Sequence, residues 1–377
     1  MRTWYFLFFI GFLLTGCREA EKSEKVRDAE IRETLTPKYA RGFAAAYTGD
    51  GIVYLTVNNP WPGAQRDFRY ALVPRERVSE FTPLPEGLDG VVGTPVRRII
   101  LTSTTHVPSL ETLGMEERLV GFPGLDYISS PGTRKRIKAG QVRELGANEQ
   151  LNTERVLSLN PDLVVGFGVS GAPSSYQTLE ASGVPVIYNG DWMEEDPLGK
   201  AEWILFFGLL FGEEEAAQTA FKKVEKAYQE AKAIAGRAAE SPTVLSGALY
   251  RDVWYLPGGD SWAARFIRDA NARYLWEDSP GNGSLSRSLE SVLEKGAEAD
   301  VWIAPSQFTS YTEMARANQH YEQFRAFQNK KIYSYALSKG PGAGMWYYER
   351  GPGRPDLILR DLIYWLHPGL LTDYTPV

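Results

Sequence analysis

Asn152 to Val165, NTERVLSLNPDLVV, is the stretch on which the fold turns. Asn152 is a candidate helix cap, Glu154 follows two residues later, and Val156-Leu157 begins the apolar side of a helix over 153–159. Asp162 then leads into Leu163-Val164-Val165, a short apolar run that reads as a buried strand. The pattern returns at Ser288 to Ile303, where Ser288, Glu290 and Val292-Leu293 precede Asp300-Val301-Trp302-Ile303. Glutamate and aspartate are 8 residues apart in the first copy and 10 in the second. The echo is imperfect, and it predicts two related lobes.

Working outward from the first copy, strands are expected at Ile99–Thr102, Leu119–Phe122, Leu163–Phe167 and Val184–Tyr188, with helices near 107–115, 153–159 and 174–182. Strand followed by helix, repeated, implies a parallel α/β layer. Around the second copy, strands are expected at Thr243–Leu249, Val301–Ala304 and Lys331–Tyr335, with helices near 261–270, 288–295, 312–326 and 355–366. Between them Ala201–Phe211 is apolar, Gly212 punctuates, and Glu213–Ala235 places Phe221, Val224, Tyr228 and Ala231 on one helical face. The expected fold is α/β, with two α/β lobes joined by a long helix. The boundaries are 37–200 for the first lobe, 201–237 for the linking helices and 238–377 for the second lobe. The first lobe begins with an added strand pair, Gly51–Asn59 and Arg69–Val73.

The N-terminus reads differently. Arg2 precedes the eleven-residue apolar run Trp4–Leu14, which ends in Leu14-Thr15-Gly16-Cys17. Such a run is far shorter than the roughly 20 residues of a spanning helix, so 1–16 is expected to be a signal peptide. Its ending resembles a bacterial lipobox, which implies a lipid anchor on Cys17. Cys17 is the only cysteine, so it has no internal disulfide partner. Residues 17–36, rich in charged and small side chains, are expected to form a lipidated tether. Removing 16 of 377 residues leaves 361, enough for two domains. A net charge of −6 and 41 basic residues against 47 acidic ones give no footprint for nucleic acid. The expected molecule is an exported monomer on a periplasm-facing membrane surface.

The segments Arg97–Thr102, Asn152–Val165 and Ser288–Ile303 resemble the iron-chelate and cobalamin class of periplasmic solute-binding proteins of ABC importers, a similarity spanning about 97–367. The resemblance implies a rigid linking helix, a ligand cleft between the lobes, and docking of the permease by one exposed glutamate on each lobe, here Glu154 and Glu290. It further implies no enzymatic activity and no cofactor, the cargo being either an iron complex (a ferric siderophore or haem) or cobalamin. A first-turn glutamate is also a common helix-stabilising charge; its recurrence in both lobes favours docking.

Open α/β sheets bind ligands beyond the carboxyl ends of their strands. Candidate ligand contacts are therefore Thr104, Thr105, His106, Asp126, Tyr127, Phe167 and Trp192 in the first lobe, and Trp254, Tyr255, Trp346, Tyr347 and Arg350 in the second. Ten tryptophans and 20 tyrosines suit a large, flat, partly apolar ligand. Trp203 and Trp365, on helical faces, are expected in the core. His106 could ligate haem iron. With three histidines in the chain, a site built from several of them for a bare metal ion is not expected. Gly166-Phe167-Gly168-Val169-Ser170-Gly171 matches a dinucleotide fingerprint but reads as a tight turn at the cleft mouth. The competing readings are a dinucleotide-dependent or hydrolytic lipoprotein enzyme, and a surface chelate receptor without a permease.

Overall fold

The computed structural model describes residues 30–377, so the expected signal peptide, Cys17 and the expected tether as far as residue 29 lie outside the described residues. The chain begins with a five-stranded sheet, β1 (Ile31–Leu35), β2 (Phe43–Thr48), β3 (Val53–Val57), β4 (Phe68–Pro74) and β5 (Gly90–Thr94). The first four strands pair antiparallel, and β5 joins β4 in parallel. The expected strand pair is thus corrected to part of a five-stranded sheet, and the expected tether over 17–36 is corrected at its end, where β1 lies. β1 is an edge strand whose residues are almost all exposed, so its charged sequence looks like solvated chain.

The first lobe is built on β6 (Ile99–Leu101), β7 (Leu119–Phe122) and β8 (Arg143–Glu144), a small ladder of β9 (Gly146–Ala147) and β10 (Gln150–Leu151), then β11 (Leu163–Gly166) and β12 (Val186–Tyr188). Its main sheet is wholly parallel in the order β12-β11-β6-β7-β8. The helices are α1 (Val107–Thr112), α2 (Pro131–Lys138), α3 (Thr153–Ser158) and α4 (Ser174–Ala181). Strand order reverses between β6 and β11, which makes the loops after them the switch point of the lobe.

Three helices connect the lobes: α5 (Pro197–Glu202), α6 (Ile204–Phe211) and α7 (Glu214–Ala235). Every residue of α6 is buried, as its unbroken apolar sequence requires. At 22 residues α7 is about 33 Å long. Two buried carboxylates tie the N-terminal sheet to this linker. Glu202 accepts the backbone N–H groups of Lys38, Tyr39 and Ala40 at 2.8, 2.6 and 2.8 Å, and Glu194 accepts those of Arg41 and Gly42 and the Trp203 indole N–H, each at 2.9 Å. Trp203 itself is buried, as expected.

The second lobe contains β13 (Thr243–Ser246), β14 (Ala248–Tyr250), β15 (Val253–Pro257), α8 (Trp262–Asp269), β16 (Arg273–Tyr274), β17 (Ser284–Arg287), α9 (Leu289–Gly296) and β18 (Val301–Ile303). It continues with α10 (Tyr311–Ala317), α11 (Arg325–Gln328), β19 (Ile332–Tyr333), α12 (Trp346–Arg350) and α13 (Pro355–Leu366). A parallel sheet runs β16-β13-β18-β19, with its switch point between β13 and β18, and an antiparallel sheet runs β14-β15-β17. The helix expected over 312–326 is broken at Asn318, whose side chain accepts the His320 N–H at 2.9 Å. That local bond competes with helix continuation. The core of this lobe is an aromatic stack in which Trp254 and Trp302 lie 5.3 Å apart at 29°.

Candidate functional site

A cavity of about 850 Å³ opens at the carboxyl ends of the second lobe's parallel strands. Ser246-Gly247, Ile303-Ala304 and Tyr333-Ser334, at the carboxyl ends of β13, β18 and β19, line it. This is the switch point of the sheet, where diverging loops leave a crevice. Gly247 turns the chain here at φ +80°, a conformation that L side chains rarely adopt, and a Cβ would stand 1.9 Å from the Tyr255 carbonyl oxygen.

Aromatic rings make the walls. Tyr335 and Tyr347 stack at 4.4 Å and 10°, Tyr347 continues to Trp262 at 5.8 Å, and Tyr333 stacks on Trp365 at 4.6 Å. The Tyr348 hydroxyl donates to that of Tyr335 at 2.7 Å. Burial pushes the Tyr347 and Tyr348 phenols well above their ordinary range, so both are neutral near pH 7. The polar lining is sparse. Arg350 lies 5.4 Å from the Trp346 ring and makes no ion pair among the described residues. Arg354 is engaged by Asp356 through two bonds of 2.8 and 2.7 Å. Asp361, its carboxyl raised by burial, accepts the Tyr374 hydroxyl at 2.6 Å.

From the sequence-based candidates, the structure brings Trp192, Tyr255, Trp346, Tyr347 and Arg350 to this cavity, and Trp192 is the first lobe's contribution to its lining. The others stand elsewhere. Trp254 is a correction: it sits mid-strand in β15, fully buried, while Tyr255 is 43% exposed, because successive strand residues point to opposite faces. His106 is also fully buried, with its ring 5.7 Å from Phe207 and its Nε2 3.8 Å from Asp191 Oδ1. It closes the turn before α1, faces the core and does not line the cavity. Thr104 and Thr105 lie in the same turn, against which α12 packs. The Asp126 carbonyl is covered by the Ala343 N–H at 3.0 Å, and Tyr127 remains exposed outside the cavity. Phe167 uses its backbone to bond Thr102 and Tyr176.

Trp262, Tyr333, Tyr335, Asp361 and Trp365 line the cavity without having been selected from the sequence. Trp365 corrects the expectation of a core residue. On α13, Leu359, Ile363 and Leu366 are buried, while Ile358, Asp361, Leu362 and Trp365 follow helical spacing on the cavity side. That periodicity was the available signal. The Gly166–Gly171 segment is a turn folded on itself, since a Cβ at Gly168 would meet the Gly171 carbonyl oxygen at 2.2 Å and the Trp61 ring at 3.3 Å.

Lys200 fixes the Trp192 loop against the second lobe. Its Nζ donates to the carbonyls of Asp191 at 3.0 Å and Trp192 at 2.8 Å and lies 5.1 Å from the Trp262 ring. Burial lowers its pKa from 10.5 to about 8, opposed by the nearby Asp191 and Glu194 carboxylates. Between those two values the unfolded chain binds more protons than the folded one, so this group makes stability rise with pH across the window. Lys200→Met is expected to remove about 2–3 kcal/mol of that rise. Urea midpoints of both proteins at pH 7.5 and 10 check it; equal pH slopes would refute the assignment.

Two lobes, a linking helix and a roomy aromatic cavity at a switch point define a solute-binding protein. The sequence model of the periplasmic binding protein family matches residues 99–336, and the chain belongs to that family, which serves ABC importers. An uncharacterized lipoprotein of Methanocaldococcus jannaschii is 24% identical over 287 residues, covering 74% of this chain and 67% of the relative. A periplasmic haem-binding protein of Pseudomonas aeruginosa superposes with a TM-score of 0.56 at 21% identity, covering 75% of this chain and 95% of that one. The periplasmic vitamin B12-binding protein of Vibrio cholerae gives 0.53 at 16% identity, covering 72% and 97%. The family expected from 152–165 and 288–303 is thus the family found, whereas β1 to β5 lie outside the matched segment. Among the described residues, no helix is long and apolar enough to cross a membrane.

Proposed function

We propose that this protein captures a bulky metal chelate, either an iron complex (a ferric siderophore or haem) or cobalamin, and hands it to an ABC permease without covalent chemistry. The observation that carries the reading is the cavity of about 850 Å³ walled by stacked aromatic rings. Its size and apolar faces suit a macrocycle or catecholate complex, and Arg350 offers a charge for a peripheral carboxylate. The haem and vitamin B12 named for the two solved structures lend support. Docking is assigned to Glu154 and Glu290, and membrane attachment to a lipid on Cys17, in keeping with the lipoprotein name of the archaeal relative. The chain acts as a monomer on the exported face of the membrane.

The test is a titration of tryptophan fluorescence with haem, several ferric siderophores and cobalamin. Trp192, Trp262, Trp346 and Trp365 line the cavity, so saturable quenching by one of these chelates is expected. Absence of binding by all of them would overturn the ligand class.

A further inference from the structure

The segment from Lys339 to Arg350 lies late in the chain but is seated on the first lobe. Glu349, 2% exposed, accepts the backbone N–H groups of Ser129 and Ser130, the latter at 2.8 Å, immediately before α2. The start of a helix has unsatisfied N–H groups and favours a carboxylate. Six residues earlier, the Ala343 N–H donates to the Asp126 carbonyl at 3.0 Å. The seat is close-fitting. A Cβ on Gly340, Gly342 or Gly344 would stand 2.1, 2.2 or 1.9 Å from Ser129 Oγ, the Asp126 oxygen or the Tyr127 oxygen, respectively.

The same segment supplies the cavity wall, through Trp346, Tyr347, Tyr348 and Arg350. One face of α12 therefore meets the ligand space, and Glu349, between wall residues, holds the helix to the opposite lobe. We infer that residues 339–350 form a gate over the cavity and that Glu349, through its bonds to the Ser129 and Ser130 amides, is the positioning residue that latches it closed. The inference rests on the reading of the cavity as the ligand site. Capture and release then proceed by breaking and remaking this latch.

Hydrogen exchange of the full-length protein without ligand tests the latch independently of any cargo. In Glu349→Ala, the amides of Ser129 and Ser130 and those of 339–350 are expected to exchange at least about tenfold faster, with β11 unchanged. Glu349→Gln keeps one acceptor oxygen and is expected to restore part of the protection. Unchanged exchange at 129–130 and 339–350 in the alanine variant overturns the proposal, as does equal acceleration in β11, which would mean general loosening. With the chelate identified by titration, association and dissociation rates should both rise several-fold in Glu349→Ala; unaltered rates beside accelerated exchange overturn the gating role. A wild-type protein that binds none of the chelates tells against the ligand reading alone, because the exchange result still decides the latch.

Discussion

Reversing both charges, Glu154→Arg with Glu290→Arg, is expected to lower uptake by roughly 100-fold or more while leaving chelate affinity unchanged. Both glutamates occupy the second position of a capped helix. Asn152 accepts the Arg155 N–H at 2.9 Å in α3, and Ser288 accepts the Ser291 N–H at 3.3 Å in α9. Both are exposed, and neither lines the cavity. The carboxyl of Glu290 is held below its ordinary range by its own backbone N–H and the Ser288 hydroxyl, which keeps it ionised. A charge that only supports a helix end contributes about 0.3–1 kcal/mol of stability. Losing that would hardly alter transport, whereas a permease that recognises the two carboxylates through basic groups would repel two arginines at a cost of several kcal/mol. Uptake assays beside ligand titrations separate these roles, and normal uptake by the double variant would end the docking assignment.

A second pair of variants sets stability against affinity. Trp254→Ala is expected to cost about 3–5 kcal/mol of folding stability, because it empties a fully buried position packed on Trp302, Tyr321 and Phe324. Trp346→Ala removes a half-buried ring at the cavity, so its folding cost should be small. Its expected effect is a loss of about 2 kcal/mol or more in chelate binding, some 30-fold in Kd. Denaturation midpoints and fluorescence titrations on both proteins check the separation. If Trp346→Ala binds normally, the aromatic wall is not the recognition surface.

Much of the fold was legible because parallel strands buried on both faces are written as short apolar runs, and β7 and α13 have the bounds expected for them. The N-terminal sheet was less legible. β2, FAAAYT, carries small residues with weak strand preference, and the charges of β1 face solvent at an edge. Of the residues expected at the ligand, Trp192, Tyr255, Trp346, Tyr347 and Arg350 line the cavity. Trp254, in the hairpin strand β15, and His106, whose side chain turns inward, are fully buried and do not line it.

By itself the sequence determined the class of layer, the long amphipathic α7, the paired capped glutamates and the family, because each depends on neighbours within a few residues or on local periodicity. Only the tertiary structure decided that the cavity belongs chiefly to the second lobe, that α13 forms one of its sides, and that α12 is fastened to the first lobe by Glu349. Those features join residues as far apart as Ser130 and Glu349, or Tyr333 and Trp365. No local pattern encodes such meetings; the packing of whole elements against one another does.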